Sequence, residues 1–413
     1  MLLFYLYSQN ATILLSMDRN EHIQALLHKG VSEILPSAAY LEAQLAGDKK
    51  LTIYCGFDPT APTLHIGHAI TLRKLRQFQD LGHKIIFLIG DFTARIGDPT
   101  DKTAARTQLS EKEIKTNLKL YKKQASKFIR FTGTNAAVVK FNTKWLGRMK
   151  FADVLSLASH MTVDQMLKRD MFVNRIKEEK PIYIHEFMYP LMQGYDSVAL
   201  GVDGEVGGND QLFNMLAGRT LLKSIKGKEK FVITMKLLAD AQGKKMGKSE
   251  GNMIALSDSP RDMYGKVMSW TDGMIVPGFE LCTDYSMSQV ATVADELKKG
   301  INPRDIKMRL AFEIVKSCST HHDAQQAEET FVATFQKRES TDAIKEVAAH
   351  GKTLEEVILA EEVVTSKGEL RRLADAGAVT NFDTKETISY EEIKKAASAA
   401  TYKIGKNRFI KIV

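Results

Sequence analysis

Cysteine is scarce in this 413-residue chain: Cys55, Cys282 and Cys318 stand alone, and no two form a C-x-x-C pair. That excludes a disulfide scaffold and a thiolate zinc ribbon, and it fits a reducing compartment. No apolar run approaches the roughly 18 residues of a membrane span, so the chain reads as soluble. Residues 1–16 are apolar but lack a Lys/Arg start and are broken by Ser8, Gln9 and Asn10. They make a poor signal peptide and read as an accessory extension ahead of Met17, with a core-packing segment as the alternative. Neither G-x-x-x-x-G-K-[ST] nor G-x-G-x-x-G occurs, so neither a P-loop nor a dinucleotide fingerprint explains any phosphate chemistry here. Internal repeats and low-complexity tracts are missing as well. What remains is an ordinary globular composition, 44% hydrophobic and 26% charged, with 58 Lys+Arg against 50 Asp+Glu. The net charge of +8 suggests an acidic partner such as RNA. The length predicts two to four domains.

From residue 51 to about 257, short apolar runs alternate with helical patterns. Strands are predicted at 51–54, 84–89, 137–141 and 232–234, with Gly82 closing a helix before the second. The alternation argues for a parallel α/β sheet. Residues 260–351 read as helical, and Gly351 marks a junction. The last sixty residues suggest short helices at 354–360 and 368–376, a turn at Gly377 and a strand over 402–413.

Two motifs carry chemistry. Tyr54-Cys55-Gly56-Phe57-Asp58-Pro59-Thr60 runs through a proline-stiffened loop to His65-Ile66-Gly67-His68. A strand, a loop and then a helix aim free N–H groups and the positive dipole end at an anion. The two imidazoles lie on one side of the first turn and can donate to phosphate oxygens as charge builds there. Gly67 would leave room for a flat base. A bare H-x-x-H also describes a metal half-site or two surface histidines. The second motif, Lys244-Lys245-Met246-Gly247-Lys248-Ser249, sits between Gly243 and Gly251 and reads as a mobile polyphosphate clamp or a plain lysine-rich loop.

In this order and about 180 residues apart, H-I-G-H and K-M-G-K-S resemble the signatures of a class I aminoacyl-tRNA synthetase. The segments at 54–60, Ile96-Gly97-Asp98-Pro99, Tyr189-Pro190-Leu191-Met192-Gln193-Gly194-Tyr195-Asp196 and Gly207-Gly208-Asn209-Asp210-Gln211 resemble the bacterial-type tyrosyl-tRNA synthetases. The resemblance runs from about residue 51 to the C-terminus. It implies a Rossmann-like parallel-sheet catalytic domain, then a helical domain, then a small C-terminal α+β S4-like domain. The division it implies is an N-terminal extension with leading helices over 1–50, a catalytic domain with a dimer-forming insertion over 51–257, a helical anticodon-arm domain over 258–351, and an RNA-binding domain over 352–413.

The implied reaction has two steps. Tyrosine attacks the α-phosphate of ATP, giving tyrosyl-adenylate and pyrophosphate, and the terminal ribose of tRNA(Tyr) then takes the tyrosyl group. The carboxylate nucleophile is already ionised at neutral pH, so no general base is needed. By resemblance, His65, His68, Lys245, Lys248, Lys102 and Arg106 are catalytic. Tyr54 and Asp196 would hold the substrate phenol, and Tyr189, Gln193, Asp98 and Thr93 the rest of the amino acid. Cys55, Gly56, Asp58, Thr60, Gly67, Thr71, Gly208, Asp210, Gln211, Lys248 and Ser249 would meet ATP or the adenylate. Cys55 could equally be a small buried hydrophobe. Magnesium would accompany ATP without a protein cage of its own. Tyr189, Gln193 and Asp196 fall on one helix face and can converge on one ligand. Gly247 stands where many family members have serine. The Leu212-Phe213 that follows Gln211 lacks one branch's tryptophan and points to the other bacterial branch.

For tRNA there are two signals. Over 111–130, Lys112, Lys115, Lys119, Lys122, Lys123, Lys127 and Arg130 alternate with an apolar face, predicting one amphipathic helix with a phosphate-contacting stripe or a plain solvated side. The C-terminal region carries Arg371, Arg372, Lys403, Lys406 and Arg408, and from 391 to the end six basic side chains stand against two acidic ones, with Tyr402 and Phe409 between. Basic plus aromatic residues suit RNA. A cytoplasmic homodimer follows from the resemblance alone. The rivals are a related enzyme for another amino acid, such as tryptophan, and an RNA-binding relative that has lost catalysis. A Tyr54–Asp196 pair argues against indole, which can only donate. The intact histidines and lysines argue against the second.

Overall fold

The computed structural model describes residues 18–98, 110–239, 253–336, 346–349, 351–405 and 408–413. Its main sheet has six strands: β1 (Val31–Leu35), β2 (Thr52–Phe57), β3 (Lys84–Ile89), β4 (Val138–Phe141), β5 (Gly204–Gly208) and β6 (Phe231–Met235). They lie in the order β1-β6-β5-β2-β3-β4. All neighbours run parallel except β1, which pairs antiparallel with β6. The sequences explain this. β6 is buried along its whole length and β3 in all but its first residue, as expected of parallel strands covered on both faces. Helix Ile66–Asp80 supplies cover by burying Ile66, Ala69, Ile70, Leu72, Leu75 and Phe78. It closes at Leu81, followed by Gly82 at φ 87°.

The chain builds β2, β3 and β4 outward in one direction and places β5 and β6 on the other side of β2. The gap between β2 and β5 is therefore a topological switch point, where open α/β sheets take ligands at the carboxyl ends of their strands. The four predicted strands are present within a few residues. β1 and β5 were not predicted. Three of the five β5 residues are glycine, which is depleted in strands and leaves no alternating signal.

Helices Pro260–Met268, Ile275–Cys282, Met287–Lys298 and Pro303–Cys318 follow the sheet. The chain divides into two compact units, residues up to Gln325 and residues from Gln326. The second unit carries helices Leu354–Ala360 and Lys367–Asp375 and a sheet of β7 (Glu346–Val347), β8 (Val379–Asn381), β9 (Ala400–Ile404) and β10 (Arg408–Ile412). Its strand order is β7-β10-β9-β8, and it packs its own core of Leu354, Val357, Ile358, Leu370, Ile404 and Ile410. The single strand expected over 402–413 is an antiparallel hairpin, turned where Gly405 adopts φ +68°.

The amphipathic helix expected over 111–130 is also corrected. It forms two short helices, Glu111–Leu118 and Tyr121–Ala125, broken at Lys119 and Leu120. Tertiary bonds decide the break: Asn117 donates to the Pro59 carbonyl at 2.9 Å, and Tyr121 to the Ala61 carbonyl at 2.8 Å. Among the described residues, no helix is long and apolar enough to cross a membrane.

Candidate active site

His65 caps helix Ile66–Asp80, and its geometry redefines the donor set. The Gly67 N–H donates to His65 Nδ1 at 3.1 Å, and the His65 N–H donates to His68 Nδ1 at 3.0 Å. With both Nδ1 lone pairs taken by backbone donors, each ring carries its proton on Nε2. The rings lie 3.8 Å apart between centroids. Burial lowers the His65 pKa to about 4, and burial followed by the His65 ring holds that of His68 well below its usual value. At neutral pH the pair is a set of two uncharged N–H donors.

Two expectations change here. The first-turn N–H groups are not free for an anion: that of Ile66 bonds the Ile254 carbonyl at 3.0 Å and that of His68 the His65 carbonyl at 2.9 Å. Gly67 has a nearer reason than an approaching base, because a Cβ there would lie 2.9 Å from His65 Cε1.

Lys102, Arg106, Lys245, Lys248 and Ser249 lie outside the described residues, as does Lys406. The chain leaving the lysine motif is nonetheless stitched to the histidine loop. Ala255 bridges His65, the Leu256 N–H donates to the Leu64 carbonyl at 2.8 Å, and Ser257 Oγ donates to Thr63 Oγ1 at 2.9 Å. Lys127 adds a bond to the Leu256 carbonyl at 2.9 Å.

A buried polar cluster joins β2 and the segment after β4 to helix Ile184–Leu200. Tyr54 and Asp196 are both buried, and each has a protein partner. The Tyr54 hydroxyl shares a 2.9 Å hydrogen bond with Ser197 Oγ. Asp196 accepts from Trp145 Nε1 at 2.7 Å and Asn142 Nδ2 at 3.3 Å. Burial raises the Asp196 pKa well above the usual carboxylate range, against the pull of those two donors.

Asp58, expected beside the nucleotide, is a hub. It accepts from Thr93 Oγ1 at 2.8 Å and from the Tyr189 hydroxyl at 2.9 Å. Asp98 accepts instead from Gln211 Nε2 at 2.7 Å, and Arg169 stands 3.9 Å from it. Gln193 Nε2 reaches Glu205 at 3.4 Å. Thr71 donates to the His68 carbonyl at 2.9 Å. Cys55 is buried, and burial pushes its thiol up to about 12, leaving it a weak donor rather than a nucleophile. Gly56 and Asp210 are exposed, while Thr60, Gly208 and Gln211 are partly so, all at the carboxyl edge of β2 or β5.

The family described as tRNA synthetases class I (W and Y) matches residues 46–336. A protein named tyrosine–tRNA ligase from Carboxydothermus hydrogenoformans is 42% identical over 401 residues, covering 94% of this chain and 97% of its own length. The Thermotoga maritima protein of the same name is 41% identical over 94% of this chain and 96% of itself. Among solved structures, a C-terminally truncated mitochondrial tyrosyl-tRNA synthetase from Coccidioides posadasii superposes with a TM-score of 0.60 at 26% identity, over 75% of this chain and 91% of that one. The chain belongs to the tyrosine–tRNA ligase family.

Several polar residues of this ligase-family chain that bond the expected site residues or one another were not among the sequence expectations: Asn142 and Trp145 at Asp196, and Ser197, Glu205, Lys230 and Arg169. Only Asn142 and Trp145 had a findable signal, since they follow the end of a predicted strand. The depressed histidine pKa values also predict a pH dependence. An unfolded chain protonates His65 near 6.5 but the fold only near 4, so unfolding takes up a proton between those values and stability is lost as pH falls through that window. The thermal midpoint is expected to drop from pH 6.5 to 4, less steeply in His65→Asn. Equal slopes in parent and variant would contradict this.

Proposed function

We propose that this chain activates L-tyrosine with ATP to tyrosyl-adenylate and pyrophosphate, then passes the tyrosyl group to the 3′ end of tRNA(Tyr). The observation that carries the reading is the pair of Nε2–H donors where the loop after β2 enters its helix, together with a buried phenol, Tyr54 on β2, and a buried carboxylate, Asp196. A substrate phenol can accept from Tyr54 and donate to Asp196, whereas indole can only donate. In the first step the tyrosine carboxylate forms a bond to the α-phosphorus as the bond to the bridging pyrophosphate oxygen breaks. His65 and His68 donate to the phosphate oxygens as charge grows on them, uncharged and therefore needing no counter-ion. Lys245, Lys248, Lys102 and Arg106 would neutralise the leaving pyrophosphate, and magnesium arrives as part of the ATP substrate. In the second step the ribose hydroxyl attacks the adenylate carbonyl and AMP leaves. Tyrosine-dependent exchange of labelled pyrophosphate into ATP, with phenylalanine and tryptophan in parallel and no tRNA, tests the reading. Exchange with tryptophan instead would reassign the pocket.

The tRNA partner is supported by exposed Lys112, Lys115, Lys119, Lys122, Lys123 and Lys127 on the broken 111–130 segment, whose apolar residues Ile114, Tyr121, Ala125 and Phe128 are buried. Lys119→Glu with Lys123→Glu is expected to raise the tRNA KM about tenfold or more while leaving pyrophosphate exchange unchanged. Unchanged aminoacylation kinetics would exclude the stripe. In the C-terminal unit Arg371 and Arg372 are exposed and Lys403 partly so. Arg408 is engaged internally, with Glu369 at 2.8 Å and the Val363 carbonyl at 3.0 Å, and so braces the unit rather than offering a free cation.

The four-part division at 50, 257 and 351 and a cytoplasmic location belong to the same proposal. So does a homodimer. Six large apolar side chains between positions 151 and 184 are exposed, with Phe151 at 78% and Ile184 at 80%. A concentration of this kind fits an interface with a second copy. Sedimentation of Phe151→Glu/Ile184→Glu is expected to give monomers where the parent gives dimers, and a dimeric variant would remove this face from consideration.

A further inference from the structure

Lys230, the residue before β6, has no place in the chemistry above, yet it is fully buried. Its ammonium forms an ion pair with Glu205, itself 2% exposed, and donates to Ser197 Oγ at 2.8 Å. Ser197 in turn bonds the Tyr54 hydroxyl at 2.9 Å, and the ammonium lies 5.8 Å from the centroid of the Tyr54 ring. The neighbouring helix makes room for it. A Cβ on Gly218 would lie 2.8 Å from Lys230 Nζ and 2.7 Å from Ser197 Oγ. On its other oxygen, Glu205 meets Gln193 at 3.4 Å.

Hydrogen-bond accounting gives this cluster a direction. An ammonium can only donate, so Ser197 Oγ must accept from Lys230. A hydroxyl that accepts from a cation becomes the better donor at its own proton. That proton points to Tyr54 Oη, which leaves the Tyr54 proton free for the pocket. Glu205 also faces Tyr54, and burial together with that carboxylate holds the phenol's pKa well above its usual value. Left unpaired, Glu205 would compete for the Tyr54 proton.

We propose that Lys230 is a positioning residue for substrate selection: acting through Ser197 and by occupying Glu205, it fixes Tyr54 as the donor that a substrate phenol meets. This rests on the tyrosine-activating function proposed above. The cluster then serves the phenol oxygen alone, since a substrate lacking that oxygen has nothing to accept from Tyr54.

Pyrophosphate exchange with tyrosine and with phenylalanine, measured on the full chain, tests it. In Ser197→Ala the Lys230–Glu205 pair is intact, and the tyrosine-to-phenylalanine ratio of kcat/KM is expected to fall about tenfold. The loss should appear in the tyrosine KM, with the tyrosine kcat and both phenylalanine constants near those of the parent. Lys230→Met should shift the ratio further in the same direction, because Glu205 is then unpaired; where that variant does not fold, Ser197→Ala decides. A parent-like ratio in Ser197→Ala, or equal losses for both amino acids, would overturn the proposal. A parent protein that shows no exchange with tyrosine would overturn the functional reading itself, and this inference with it.

Discussion

His65→Ala is expected to slow tyrosyl-adenylate formation by about 10²- to 10³-fold while moving the tyrosine KM by no more than about twofold. The reasoning starts from the tautomer. His65 Nδ1 is held by the Gly67 N–H, so the ring presents Nε2–H at the start of helix Ile66–Asp80. A donor of this kind acts on charge that develops only as the α-phosphorus is attacked, so its loss falls on kcat. Its second role is local: the His65 ring also caps the helix, so the variant should lose about 1 kcal/mol of stability as well. Pre-steady-state adenylate formation separates the two, because a helix-cap defect alone would shift the thermal midpoint and leave the rate at saturating substrate close to that of the parent. A rate within about threefold of the parent would remove His65 from the chemistry.

Asp196→Asn is expected to lower kcat/KM for tyrosine by about 100-fold, the upper end of what one hydrogen bond to a charged acceptor contributes. Here the fold should not suffer. Asparagine keeps an oxygen to accept from Trp145 Nε1 and gives up only the longer 3.3 Å bond from Asn142, a loss offset by removing a carboxylate that burial disfavours. The sign follows from linkage. A carboxylate whose folded pKa is raised holds its proton more tightly in the fold, so stability is lost as pH rises through the unfolded and then the folded value. The neutral variant escapes that loss and should melt no lower than the parent at pH 8. Activity lost together with a markedly lower midpoint would mean that Asp196 is structural first.

The two predictions draw on different kinds of information. The placement of His65 and His68 was legible from the chain because it is local: three residues apart on one helical turn, following a strand, they could only sit at that strand's carboxyl end. The same holds for helix Ile66–Asp80 with Gly82 behind it, and for β3, whose unbroken apolar run required burial on both faces. Asp196 was singled out through resemblance and through the helix face it shares with Tyr189 and Gln193, which says nothing of its own partners. Its partners Trp145 and Asn142 lie more than fifty positions away, and no spacing rule connects them.

By itself, then, the order of residues determined the α/β class, the helical stretch after the sheet, the position of the two histidines at the start of helix Ile66–Asp80 and the basic character of the 111–130 segment. Each of these follows from periodicity or from contacts within a turn or two of helix. Tertiary structure alone decided the rest. It broke the 111–130 helix, because Asn117 and Tyr121 found better partners on the loop after β2 than in a continuous helix. It gave the five residues of β5 a place their glycines would not have claimed, and it turned Asp58 into a shared acceptor for Thr93 and Tyr189. It also buried Lys230 beside Tyr54, a lysine that in sequence looks like any solvated cation. The physical reason is common to all of them. A buried polar group must find a partner wherever the fold supplies one, and a bond such as Tyr54 to Ser197, spanning 143 positions, leaves no periodic trace in the chain.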